Sequence, residues 1–166
     1  MILEIKKYGT EVLRTKSVPV KKVDDSIREL LTNMVETMQE AEGVGLAAPQ
    51  VGHNIRMFVI QLEGKVYKMV NPKITSLDNS VIEWEEGCLS VPGIYRKVKR
   101  PNHIKIEYLD ENGVTQTREF TELGAVVCQH ENDHLDGVLF VDKISPMAKR
   151  MIQKKLKQIV SDNNAG

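Results

Sequence analysis

Ile27, Leu30, Leu31, Met34, Val35, Met38 and Ala41 recur at the three- and four-residue spacing of a single helix face. Asp24, Asp25 and Ser26 offer N-caps ahead of that stripe and Gly43 a stop after it, so the pattern predicts a core-packing helix. The preceding residues 1–24 lack periodicity, and Pro19 with Lys21-Lys22 marks a surface loop. From Arg56 the period falls to two. Arg56–Leu62 and Lys65–Val70, joined by Glu63-Gly64, read as a hairpin that Asn71-Pro72 ends. Val81–Glu85 reads as a short strand, and His103–Leu109 with Val114–Phe120 as a second hairpin around Asp110–Gly113. Leu123–Cys128 is apolar on all sides, which suits an interior helix with Thr121 as N-cap and Asp136-Gly137 as its stop. Val138–Val141 predicts a short strand, and Ser145-Pro146 opens a last helix over about 146–160. Strands enclosed by an N-terminal and a C-terminal helix, with an apolar helix among them, predict an α+β fold: antiparallel sheets folded around the central helix.

Composition narrows the function. The 166 residues suit one domain over 1–166 with a real core. Lysine plus arginine (23) balances aspartate plus glutamate (23), so bulk charge points to neither DNA nor a membrane. Met1–Tyr8 has neither a signal peptide's apolar run nor a transit peptide's lack of acids, and nothing approaches the ~20 apolar residues of a membrane span. Two cysteines make no disulfide framework, and a reducing cytoplasmic setting is expected.

The candidate chemistry centres on His130-Glu131-Asn132-Asp133-His134, an H-E-x-x-H pattern at the end of the central helix. At about 100° per residue, positions i and i+4 lie within roughly 40° of each other, so His130 and His134 can share one metal ion. Glu131 lies beside that face, within reach of a water activated by the metal. Without such a purpose, this charged cluster at the end of a buried helix would be costly. A catalytic site needs a third ligand and an open position. No histidine or glutamate follows Gly137, so the third donor comes from upstream. Cys128 points roughly 160° away from His130 on the helix and reads as a core residue. Cys88, in an expected loop between glycine and proline, is the donor whose placement fits; His53 and His103 read as surface or strand-end residues.

Gly43–Gly52 is expected to be an irregular loop. Its Gly43-x-Gly45-x-x-Ala48 formally matches a dinucleotide fingerprint, but a helix precedes it and Pro49 stands where the following helix would have to begin. The glycines instead suit close approach of backbone to a ligand, with Gln50 delivered at the loop's end. A mere turn between helix and strand remains the alternative.

Gly43-Val44-Gly45-Leu46-Ala47-Ala48-Pro49-Gln50, Glu86-Gly87-Cys88-Leu89-Ser90 and His130–His134, in that order, resemble the three signature motifs of the peptide deformylases. The resemblance covers nearly the whole chain. It implies a metal-dependent hydrolase that removes the N-formyl group from the initiator methionine of nascent polypeptides and releases formate. It also implies Cys88, His130 and His134 as ligands of ferrous iron, which zinc, nickel or cobalt can replace. Glu131 would be the proton shuttle, and the Gln50 amide and Leu89 backbone N–H the donors to the developing oxyanion. A tight site beside Gly45 would admit the formyl group, and Val44, Leu89, Leu123, Val126 and Val127 are candidates to line the methionine pocket, core packing being the competing role for the last three. Glu86 and Asp133 are candidates to orient the ligands, and any of Arg96, Lys97, Lys99 and Arg100 could be the arginine-type contact to substrate backbone.

The last helix carries the apolar stripe Met147, Met151, Ile152, Leu156 and Ile159, opposed by Lys149, Arg150, Lys154, Lys155 and Lys157. The resemblance implies that this basic face can dock on the ribosome, against the plainer role of a solvated face. Three other readings compete: a zinc endopeptidase, a deformylase homologue acting on another N-acylated substrate, and a structural zinc module. The last would need a fourth ligand.

Overall fold

The computed structural model describes residues 1–165. Its elements are α1 (Asp25–Glu40), β1 (Gly45–Ala47), β2 (Met57–Leu62), β3 (Lys65–Ser76), β4 (Val81–Cys88), β5 (Val91–Pro101), β6 (His103–Leu109), β7 (Thr115–Thr121), α2 (Glu122–Leu135) and α3 (Pro146–Ala165). The strands form an antiparallel sheet in the order β1-β2-β3-β6-β7 and a separate antiparallel pair, β4-β5. This is the α+β arrangement that the pattern predicts.

The five-stranded sheet is covered on both faces. Phe58, Ile60, Met69, Ile104 and Ile106 pack with Ala125, Val127, Cys128 and Leu135 of α2. Met57, Val59 and Val70 pack with Leu31, Met34 and Met38 of α1. Successive β2 residues therefore enter different cores, which is why Met57-Phe58-Val59-Ile60 is a continuous apolar run. A third cluster ties Val91, Ile94 and Val98 of β5 to Leu139, Phe140, Val141 and Ile152, placing α3 against the two-stranded sheet.

Several local expectations change. Asp24 caps α1, accepting the Ile27 N–H, but the left-handed residue after that helix is Glu42 (φ 56°) rather than Gly43. Residues 43–52 are not wholly irregular: Gly45–Ala47 pairs with β2, and Ala48–Val51 forms a 3-10 turn. Asn71-Pro72 does not end β3. Asn71 (φ 50°) forms a bulge that removes Pro72 from the ladder, and the strand continues to Ser76. β4 runs on to Cys88, which therefore ends a strand instead of standing in a loop, and β5 was not foreseen at all. Val138–Val141 forms no strand. Leu139, Phe140 and Val141 are all buried, and Asp142 turns back to accept the Leu139 N–H. Thr121 precedes α2 as expected but makes no side-chain cap; Asn102 accepts the Glu122 N–H in its stead. Gly137 (φ 75°) closes α2, as its sequence position predicts.

Candidate metal centre

α2 carries His130 and His134 on one face, and the β4-β5 hairpin brings Cys88 to them. One ligand atom from each lies within 4.8 Å of the others. Cys88 Sγ is 3.3 Å from His134 Nε2, against the roughly 3.3–3.6 Å between ligands that bonds of about 2.0–2.3 Å imply in a tetrahedral site. The three residues are drawn from two elements far apart in sequence. The buried Nδ1 of His134 has no hydrogen-bond partner, nor has the buried Oε1 of Glu131. A sulfur, two imidazoles and an adjacent unsatisfied carboxylate suit a divalent transition ion.

Glu86 and Arg100 support the candidate ligands from behind. His130 Nδ1–H donates to Glu86 Oε1 at 2.9 Å, which leaves Nε2 facing the centre. Arg100, only 4% exposed, donates through Nε (2.6 Å) and Nη2 (2.9 Å) to Glu86, and through Nη1 (2.8 Å) to Asp133. The His130 ring also stacks on Phe140, with centroids 6.0 Å apart. Burial pushes the Glu86 carboxyl up, but Arg100 and His130 outweigh it and hold the pKa below the ordinary value. Burial likewise disfavours a charged His130, yet the Glu131 carboxylate, Cys88 and Glu86 outweigh it and raise its pKa. His134, desolvated and beside His130, is pushed well down. Burial raises the Glu131 carboxyl to about 7 despite the pull of His130. A bound cation would draw that carboxyl back towards its ionised form.

Glu131 rests against Gly45. A Cβ at that glycine would lie 2.5 Å from Glu131 Oε2, so only glycine leaves the carboxylate its place. Two residues on, Ala47 N–H donates to Gln50 Oε1 at 2.9 Å, which turns Nε2 towards Ser90 Oγ (3.1 Å) and Cys88 Sγ (3.5 Å). Gln50 and Ser90 are both buried.

A cavity of about 400 Å³ opens beside these groups, lined by Val44, Gly45, Gln50, Glu86, Cys88, Leu89, Val126, Val127, His130 and Glu131. Of the expected lining residues, Leu123 is not brought there: one helical turn before Val126, it is 37% exposed. Val127, for which core packing is the competing expectation, both packs in the core and lines the cavity. Glu42 and Tyr95 also line the cavity and Ser90 meets Gln50, roles that the sequence pattern does not signal. Arg100 is one of four basic residues that the sequence does not distinguish, and period-two burial of Ile94, Val98 and Arg100 along β5 gives its inward direction. Cys128 is buried in the core, where desolvation raises its thiol pKa, and His103 sits between Asp78 and Glu119 at the surface, away from the centre.

The family model for polypeptide deformylase matches residues 2–150. A peptide deformylase of Fusobacterium nucleatum is 52% identical over 162 residues, 96% of this chain and 93% of the relative. The crystal structure of a Legionella pneumophila peptide deformylase superposes with a TM-score of 0.90 at 40% identity, covering 95% of each chain. One from Synechococcus elongatus, solved in complex with actinonin, superposes with a TM-score of 0.85 at 39% identity, over 98% of this chain and 86% of that one.

Proposed function

The chain belongs to the polypeptide deformylase family, and from that membership we propose how its own residues carry out the reaction. It is a metal-dependent hydrolase that removes the N-formyl group from the initiator methionine of nascent polypeptides, releasing formate. Cys88, His130 and His134 hold the metal ion. When bound there, the ion would supply Lewis-acid chemistry, making a water more acidic near neutral pH. Glu131 takes the water's proton and delivers it to the methionine nitrogen as the carbon–nitrogen bond breaks. Gln50 Nε2 and the Leu89 N–H donate to the formyl oxygen as charge develops there, each worth about 3 kcal/mol if they act like other oxyanion donors. Val44, Leu89, Val126 and Val127 offer the methionine side chain an apolar wall, and the bare backbone at Gly45 leaves room for the smallest acyl group.

The observation that carries this reading is the convergence of Cys88, His130 and His134 on one point, with Glu131 held against Gly45 beside them. The decisive experiment is formate release from formyl-Met-Ala-Ser by protein purified anaerobically with ferrous iron, alongside Glu131→Ala. Release by the parent, lost by a factor of about 10²–10⁴ in a variant that keeps its metal, is expected. A folded, iron-loaded parent that releases no formate would overturn the assignment.

Iron is the proposed native ion, with zinc, nickel or cobalt able to replace it; a ferrous site with a thiolate ligand should lose activity in air. Metal analysis of anaerobically isolated protein tests the identity. Among the described residues no helix is long and apolar enough to cross a membrane, and we place the enzyme in the cytoplasm, where its substrates are made. Lys149, Arg150, Lys154, Lys155 and Lys157 on α3 suit salt-sensitive docking to the ribosome. Deleting residues 146–166 should abolish co-sedimentation with ribosomes, and undiminished binding would end that proposal.

A further inference from the structure

A second cavity, of about 520 Å³, lies between the N-terminal arm and α3 and shares no lining residue with the metal cavity. That volume falls within the range of small-molecule sites. Its apolar wall comprises Tyr8, Val141, Ile152, Leu156 and Val160, and Val141 and Ile152 are buried. Lys149, Gln153 and Lys157 border it at four-residue intervals, so their side chains follow one line along α3.

The charge around this cleft is one-sided. Asp142 is its only acidic lining residue, and both its oxygens are committed: Arg14 Nη1 and Nη2 donate to them at 2.6 and 3.1 Å, and the Leu139 N–H adds a further bond. Among the described residues neither Lys149 nor Lys157 makes an ion pair, and no acid occurs in the sequence from Lys143 to Ser161. A neutral apolar occupant would cover the wall without engaging the two exposed lysines. A hydrophilic polyanion would meet the lysines but leave the apolar wall uncovered.

We propose that this cleft is a binding site for a small amphipathic carboxylate, with its apolar body along Ile152, Leu156 and Val160 and its anionic head between Lys149 and Lys157. The site is separate from deformylation.

The test is a chemical-shift titration of the metal-loaded protein with decanoate below its micelle concentration, the metal cavity being blocked by a peptide hydroxamate. Saturable shifts are expected at Tyr8, Ile152, Leu156 and Val160. Decanol should bind about tenfold more weakly, and acetate should give no saturable shift, because affinity requires both body and charge. Lys149→Gln/Lys157→Gln should weaken decanoate binding about tenfold. Shifts confined to other surfaces, equal affinity for decanol, or undiminished binding by the double variant would each overturn the proposal. Saturation by phosphatidylglycerol vesicles without any response to monomeric decanoate would also overturn it, assigning the cleft to a membrane surface.

Discussion

Arg100 and Glu86 are both buried, and each is the other's main charge partner. Breaking such a pair from one side leaves an uncompensated charge in a low-dielectric interior, which costs about 3–5 kcal/mol. Arg100→Leu should therefore destabilise the fold by that amount in denaturant unfolding, because Glu86 and Asp133 both lose their guanidinium partner. Glu86→Gln separates charge from hydrogen bonding, since its amide oxygen can still accept from His130 Nδ1. Its metal affinity should fall about 10–100-fold in chelator competition; parent-like affinity would confine Glu86 to a packing role with Arg100. The pairing of His130 and His134 on one face was legible in the sequence, because i, i+4 spacing on a helix is geometry in one dimension. Arg100 was not, because which of four neighbouring cations turns inward depends on the register of a strand. Ser90 was hidden for a similar reason: its hydroxyl matters only once Gln50 is seen to turn towards it.

At the scale of elements, periodicity succeeded where one environment covers a whole face and failed where a strand changes environment along its length. α1 and the β6-β7 hairpin were legible because their apolar positions keep a single period, whereas α2 and β2 were legible as apolar runs, β2 being closed by the Glu63-Gly64 turn. β5 was not, because Pro92 and Gly93 stand at its start and four basic residues fill it, one of them buried. β1 is three residues long, too short to show a period, yet its placement decides the site. Pairing of Gly45 with Ile60 and of Leu46 with Val59 presses the β1 backbone against Glu131. The Gly45→Ala methyl would fall 2.5 Å from Oε2 and 2.9 Å from both Cγ and Cδ, so the flexible carboxylate yields and the backbone does not. This variant should keep its melting temperature and its metal while kcat/KM for formyl-Met-Ala-Ser drops about a hundredfold. Full activity would show that Glu131 works from another rotamer.

Across the whole molecule, the N-terminal arm straps together parts that no single sheet connects. The Lys6 N–H donates to the Gln50 carbonyl at 2.7 Å, the Tyr8 N–H to the Ser90 carbonyl at 2.8 Å, and the Ser17 N–H to the Leu135 carbonyl at 2.8 Å. Arg14 completes the strap with its fork on Asp142, just ahead of α3. Burial tends to raise the Asp142 carboxyl, but the Arg14 hydrogen bonds and the Leu139 N–H outweigh it and hold the pKa below the ordinary value. A carboxyl depressed in the folded state adds stability above its unfolded pKa and loses it as pH falls through the folded one. Both partners are partly exposed, so screening limits the contribution to about 1 kcal/mol. Asp142→Asn should therefore melt about 2–4 °C below the parent at neutral pH. In metal-free samples, which keep ligand protonation from adding to the comparison, that gap should narrow below about pH 4 as the parent's carboxylate takes up its proton. A gap that persists unchanged to the lowest pH at which both proteins fold would place the effect in hydrogen-bond geometry around Leu139 rather than in charge.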